Sequence, residues 1–264
     1  MMTAYYGLKK VPFCKEIRTD QMFETFDTRE AFTRLSYVRQ NRGVMLLTGE
    51  PGAGKTSLLR KFVDSLSPQT HQHCYTPHVT ISRSELYRQL SMILHLPPKM
   101  RKTEAYEQIQ KAILGRYENE GKTPVIILDE MQMADHLTIT ELVPIMNFHM
   151  DSKLPFILVL IGQPEFRETL KRRIHEPLNQ RITLRYHMVG LNPDETPQFI
   201  RHALKIAGRS DPLFEESSFE VIHQLAHGLP RKVGTLSLAA MTLAMTKKRQ
   251  TVDADCVVQA SAGI

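Results

Sequence analysis

Long apolar runs are missing from this chain. The longest lies near Phe156 to Ile161, far short of the ~20 residues a helix needs to cross a bilayer. The N-terminus, Met-Met-Thr-Ala-Tyr-Tyr-Gly, places no charged stretch before an apolar one, so no secretory leader is expected and the expected location is cytoplasmic. Cysteine is scarce: Cys14, Cys74 and Cys256 stand far apart without a C-x-x-C pair, the usage of a chain with reduced thiols. His71, His73, Cys74 and His78 form one cluster of soft ligands, but their spacing fits no common zinc pattern. Internal repeats and low-complexity tracts are absent. Charge of one sign is only mildly in excess, 34 Lys and Arg against 28 Asp and Glu, for a net +6 and a pI near 9.2. That balance inclines slightly towards an acidic partner such as nucleic acid.

What is present starts with Gly49-Glu50-Pro51-Gly52-Ala53-Gly54-Lys55-Thr56, which matches G-x-x-x-x-G-K-[ST] at every fixed position. Gly43 to Thr48 before it reads as a short buried strand, and Ser57 to Val63 after it as the first turns of a helix. A glycine loop between strand and helix N-terminus turns backbone N–H groups inward and adds the helix dipole, which together cradle phosphate. Lys55 is expected to reach the β- and γ-phosphates and Thr56 to bind Mg²⁺. The chain is therefore expected to bind a nucleoside triphosphate.

Pro124 to Glu130, Pro-Val-Ile-Ile-Leu-Asp-Glu, is an apolar strand ending in two acids, the Walker B pattern. Apolar residues on both faces suit a central parallel strand covered by helices. Asp129 is expected to hold Mg²⁺ and Glu130 to polarise the attacking water, the acid–base role of phosphoryl transfer. An apolar strand followed by a polar turn explains such a segment in isolation. About 70 residues after a phosphate loop, the catalytic reading prevails.

The 264 residues hold an α/β core of about 170 residues and a small second domain. Residues 1–26 read as an irregular arm with Pro12, Phe13, Phe23 and Phe26 as apolar anchors. Asp27-Thr28-Arg29-Glu30 has capping-box spacing and opens a helix to about Asn41. Further expected elements are a strand within His73–Thr80, a helix from the capping box Ser82–Glu85 to about Leu96, helices near 104–118 and 138–149, a strand 154–161, a basic helix 170–176 and a strand 182–187. The β–α alternation predicts a three-layer core, residues 27–190, around a five-stranded parallel sheet. From Asn192 only helices are expected, near 193–207, 215–227 and 231–247, with Gly208 and Gly228 as C′ residues. Residues 191–264 therefore read as a small helical lid.

Three further residues follow from that layout. Gln163 ends the fourth strand beside Walker B, where it either orients the water or caps the next helix. Arg231 opens a lid helix, against the helix dipole, and suits a γ-phosphate sensor. Arg181, before the fifth strand, suits an arginine finger acting on a neighbour's nucleotide, with Arg172, Arg173 and Arg185 as competitors.

The chain resembles the AAA+ ATPases of the ExeA/TnsC/TniB group, related to the transposition protein MuB. The resemblance is carried by Tyr5-Tyr6-Gly7-Leu8 with Pro12-Phe13, the Gly49–Thr56 loop, Ile127–Glu130, Gly162-Gln163-Pro164-Glu165, Gln180-Arg181-Ile182 and Gly228-Leu229-Pro230-Arg231. It implies an AAA+ fold with a C-terminal helical lid, and ATP with Mg²⁺ at subunit interfaces of a hexameric ring or helical filament. The nucleotide would be contacted from Gly49 to Ser57 and by Asp129, with Arg181 in trans and Arg231 in cis. Two functions within the group compete. Secretion ATPases of the ExeA type carry a membrane anchor and a cell-wall-binding domain after the ATPase, whereas transposition regulators are short and stand alone. Length and the absent anchor favour the latter: an ATPase that oligomerises on duplex DNA without sequence preference, marks the target and recruits a transposase. Under that reading Lys99, Arg101, Lys102 and Thr103 are the DNA-contact candidates, ahead of Lys122, Thr123 and the stretch Arg167, Lys171, Arg172, Arg173. A solvated turn explains the Lys99–Lys102 run equally simply. A secretion-type assembly ATPase working on protein partners is the alternative. A nucleotide-switched adaptor without hydrolysis is a third, which Glu130 opposes.

Overall fold

In the computed structural model, residues 2–14, 16–77 and 83–263 are described, the side chains of Arg83 and Ser84 excepted. In chain order come α1 (Met2–Tyr5), α2 (Phe26–Asn41), β1 (Gly43–Gly49), α3 (Lys55–Asp64), β2 (His71–Thr76), α4 (Arg83–Ile93) and α5 (Lys102–Glu118). Then follow β3 (Thr123–Leu128), α6 (His136–Met146), β4 (Ile157–Gly162), α7 (Pro164–Leu170), α8 (Glu176–Arg181) and β5 (Leu184–Met188). The last four are α9 (Glu195–Ile206), α10 (Glu216–Ala226), α11 (Pro230–Thr246) and α12 (Ala254–Ser261). Two compact units emerge, Glu30–Gly49 with Leu58–Met188, and Met1–Arg29 with Glu50–Ser57 and Val189–Ile264.

The first unit holds the sheet, in the order β2-β3-β4-β1-β5, with every neighbouring pair parallel. This is the five-stranded parallel sheet that the β–α alternation predicts. Every residue of β1 and β4 is buried, as is all of β3 after Thr123. Strands covered on both faces need apolar side chains at consecutive positions, hence the unbroken runs. The edge strands β2 and β5 keep exposed positions, which admits their histidines and Arg185. Tyr87 and Leu90 of α4, Leu94 just after it, Ile109 and Ile113 of α5, and Ile139 and Leu142 of α6 share one core with Ile126 and Leu158. Because all strands are parallel, β1, β3 and β4 end at one edge of the sheet, β4 between the other two. Gly162 closes β4 where a Cβ would lie 2.9 Å from the Phe166 Cβ, so the chain can turn there only without a side chain.

Helix boundaries depart from expectation where capping chemistry differs from the pattern. The box at the start of α2 is formed by Thr25 and Thr28, not Asp27 and Glu30: Thr28 N donates to Thr25 Oγ1 at 3.0 Å, and Thr25 N to Thr28 Oγ1 at 2.8 Å. Asp27 is buried instead, its Oδ2 accepting from Val189 N at 2.6 Å and Gly190 N at 2.8 Å. No helix spans 170–176. Pro164 at the first turn starts α7, which ends at Leu170, and a 3₁₀ turn, Arg173–His175, leads into α8. Asp135 caps α6, accepting from Thr138 N at 2.6 Å, so that helix starts earlier than expected. Ser82 of the expected box before α4, and the end of the expected second strand, lie outside the described residues.

The second unit packs α9 to α12 around Ile200, Leu204, Phe219, Ile222, Val233, Ala240 and Val257, and Tyr6 and Leu8 of the arm enter the same core. Tyr6 donates its hydroxyl to Met241 O at 2.9 Å. Phe13 and Phe23 meet Phe199, with ring centroids 6.0 and 5.9 Å apart. Phe26, expected as an anchor, is 58% exposed. Asn192 and Glu195 form the reciprocal box their spacing predicts: Glu195 N donates to Asn192 Oδ1 at 2.8 Å and Asn192 N to Glu195 Oε2 at 3.0 Å. Gly208 and Gly228 follow the C-caps of α9 and α10, Ala207 and His227, at C′ as expected, with φ of 96° and 66°; His227 is itself left-handed, φ 51°. The terminal stretch contains α12, capped by Asp253 on Cys256 N at 2.8 Å.

Candidate functional site

The glycine loop follows β1 directly. Its backbone turns at Gly52 (φ +90°) and Gly54 (φ +103°), values an L side chain resists. Ala53 N closes the turn on Glu50 O at 3.1 Å, and Lys55 Nζ donates to Glu50 O at 3.0 Å. Lys55, Thr56 and Ser57 form the first turn of α3, whose N–H groups have no intrahelical acceptors. Ala53 is buried, while Glu50, Pro51, Thr56 and Ser57 are exposed. Arg231, second residue of α11, lies against this loop. Its N donates to Gly52 O at 3.3 Å, and a Cβ on Gly52 would lie 2.8 Å from the Arg231 Cβ. Gly52 is thus required twice, by its φ and by the arginine stem.

Asp129 and Glu130 follow β3. Asp129 is buried; its Oδ1 accepts from Glu130 N at 2.8 Å and its Oδ2 from the Tyr75 hydroxyl at 3.0 Å. Burial, then the Asp129 charge and hydrogen bond, push the Tyr75 phenol well above its ordinary range, so it stays protonated and donates. Glu130 adopts a left-handed backbone, φ 56° and ψ 38°, which costs a non-glycine residue about 1–2 kcal/mol. Its Oε2 accepts from Gln132 Nε2 at 2.5 Å. Gln163 stands at the N-cap of α7 without a side-chain capping bond, and its backbone N donates to Gln132 Oε1 at 3.0 Å. Tyr75 and Gln132 were not foreseen. Gln132 follows Glu130 at a spacing a 3₁₀ turn can fold back, but Tyr75 reaches Asp129 only through the β2–β3 pairing.

The loop offers backbone donors at a helix N-terminus, which suits the phosphates of a nucleotide. Thr56, in the loop's unit, and Asp129, in the other, each carry a hard oxygen of the kind Mg²⁺ takes. Among the described residues no group of three or more His, Cys, Asp or Glu is placed to hold a metal ion. His78 of the soft-ligand cluster lies outside those residues, and burial pushes the Cys74 thiol up to about 11.

The arginines are held within their own unit. Arg181 Nη2 pairs with Asp151 Oδ2 at 2.5 Å and Nη1 donates to Pro177 O at 3.0 Å. Arg185 Nη2 donates to Asn179 O at 2.5 Å and Oδ1 at 2.8 Å. Arg172 Nη1 donates to His136 Nε2 at 2.6 Å, and His136 Nδ1 meets His175 Nε2 at 2.7 Å. A guanidinium only donates, so His136 Nε2 accepts from Arg172 and its Nδ1 donates to His175 Nε2. Of the DNA-contact candidates, Lys99 and Thr103 are exposed, and Arg101 lies 3.9 Å from Glu104. Lys102 instead binds Glu141 at 2.5 Å, beside the Tyr87 hydroxyl bond to the same carboxylate at 2.8 Å.

A family model described as an AAA domain matches residues 38–170, from α2 through the glycine loop and Walker B to the end of α7. The chain belongs to the AAA domain family. As an AAA domain with both motifs, it is an ATPase. It is 28% identical over 250 residues to General secretion pathway protein A of Aeromonas hydrophila, across 94% of this chain and 45% of that protein. The chain thus spans less than half of that relative. In structure it is similar to the Aeropyrum pernix ORC2 protein, with a TM-score of 0.65 at 18% identity over 95% of this chain and 70% of that one. It is also similar to Cdc6p of Pyrobaculum aerophilum, at 0.66 and 15% over 99% and 71%. At such identities the likeness is one of fold. Among the described residues no helix is long and apolar enough to cross a membrane.

Proposed function

We propose that this AAA domain is the ATP-hydrolysing part of a protein-assembly machine of the General secretion pathway protein A kind, acting on protein partners. The observation that carries this reading is the 28% identity along 94% of the chain, which includes the arm and the helical unit as well as the shared ATPase motifs. It favours this reading over the expected transposition role. That expectation rested on chain length and a missing anchor, and neither discriminates in a sequence that spans 45% of its relative. One of its DNA candidates, Lys102, is also engaged by Glu141.

In this reading Lys55 and the loop N–H groups hold the β- and γ-phosphates, and Arg231 senses the γ-phosphate from the same unit as the loop. Thr56 and Asp129 hold Mg²⁺, which supplies charge neutralisation when bound. Glu130 takes the proton of the attacking water, and Gln163 orients that water. Arg181 acts on the nucleotide of a second copy once it leaves Asp151. Steady-state ATPase rate and self-association, each measured with and without duplex DNA over a salt series, test this. The expected result is ATP-dependent self-association and turnover indifferent to DNA. Salt-sensitive activation by random-sequence duplex would restore the transposition reading.

A further inference from the structure

Gln132 was assigned no role by its sequence, yet it joins two strand ends that matter for hydrolysis. β3 and β4 are neighbours, with Leu128 opposite Leu160. Glu130 follows the first and Gln163 the second. The turn Met131–Met133 is anchored by the fully buried Met131 and closed by Met133 N on Glu130 O at 2.9 Å. That fold-back sets the half-buried Gln132 amide between the two ends. Its orientation is dictated chemically. The Gln163 N–H can only donate, so Oε1 faces it, and Nε2 must then face the Glu130 carboxylate. A flipped amide would set donor against donor and oxygen against oxygen. Of the Glu130 carboxylate, Oε2 takes the amide at 2.5 Å, which leaves Oε1 as the oxygen for a water.

We propose that Gln132 is a positioning residue for ATP hydrolysis, clamping the Glu130 carboxylate in a water-activating orientation and tying it to the end of β4. This rests on Glu130 as the base. The left-handed backbone at Glu130 makes the clamp necessary. Without the amide, the side chain swings freely from a strained turn, and a small misplacement of a catalytic group costs on the order of 10²-fold.

The test compares wild type with Gln132→Ala, Gln132→Glu and Glu130→Gln in the full chain, measuring kcat, the KM for ATP and melting temperature. Gln132→Glu is the isostere. It keeps the bond from Gln163 N–H and fills the same volume, but turns a donor towards Glu130 into a repelling carboxylate. The expected result is a kcat lowered at least about tenfold in both Gln132 variants with the KM within about twofold. A wild-type kcat in Gln132→Glu would overturn the proposal. So would a lowered kcat accompanied by a raised KM and a falling melting temperature, which marks a structural role. If Glu130→Gln hydrolyses ATP at the wild-type rate, the base is misassigned and the proposal falls with it. If Glu130→Gln is inactive while both Gln132 variants are unaffected, only the clamp is refuted.

Discussion

Lys102 separates two accounts of the basic turn before α5. As a DNA contact it would neutralise one phosphate, and its loss would lower the slope of log affinity against log salt by about 0.9 without touching stability. The structure gives it another task. Its ammonium pairs with Glu141 at 2.5 Å, the carboxylate only 10% exposed and the lysine 46%. Tyr87, itself buried, donates to the other carboxylate oxygen at 2.8 Å, and the three side chains join α5, α6 and α4. Removing one member of a fully buried pair costs about 3–5 kcal/mol, and a fully exposed pair is worth about 0–1 kcal/mol. With one partner buried and the other half in water, Lys102→Ala should cost about 2 kcal/mol. For a chain of this size that is a fall in melting temperature of roughly 4–8 °C. Lys102→Met with Glu141→Gln removes both charges together and should recover most of that loss, since the penalty lies in the stranded carboxylate. Thermal melts of the single and double variants, with Lys99→Ala as an exposed control, decide the matter. A Lys102→Ala protein that melts with wild type but binds duplex with a reduced salt slope would refute the reasoning.

Three other outcomes follow from the geometry. Asp27→Ala strands two backbone N–H groups, of which Gly190 N is buried; a loss of about 2 kcal/mol is expected, partly recovered by Asp27→Asn, and chemical denaturation would show otherwise if the midpoints coincide. Burial, His136 and Arg172 lower the pKa of His175 below 6.5. The unfolded chain therefore takes up a proton that the folded chain refuses: stability should be full above pH 6.5 and fall as pH drops from there towards the folded value. His175→Gln keeps an acceptor for His136 without titrating, so its melting temperature should fall less steeply between pH 7 and 5, and parallel curves would contradict the assignment. Lys55→Ala should abolish ATP binding by calorimetry while leaving the melting temperature of the nucleotide-free protein close to wild type; retained affinity would remove the loop from the phosphate site.

How much of the site was legible depends on how far apart its partners lie in the chain. The Gly49–Thr56 loop and the Asp129–Glu130 strand end are local patterns whose chemistry needs only neighbours in sequence, and the Asn192–Glu195 box is the same kind of signal. The buried strands were legible because a two-face-covered strand must be apolar throughout. The misplaced helix at 170–176 shows the limit: Arg172 to His175 have helical composition, but His136, which meets both the Arg172 and His175 side chains, and the bond from His175 N to Arg172 O hold that stretch in a 3₁₀ turn. Asp27 misled because a capping spacing is indistinguishable from a carboxylate recruited by residues 162 and 163 positions away.

By itself, then, the sequence determined a P-loop ATPase core with a parallel sheet and a helical unit after it, because glycine conformation, strand burial and helix capping act over a few residues. The tertiary structure alone decided that Tyr75 holds Asp129, that Gln132 links Glu130 to the end of β4, and that Lys102 serves Glu141. Each of these depends on which strands and helices become neighbours. That choice is made by the burial of the whole core, and no short stretch of chain encodes it.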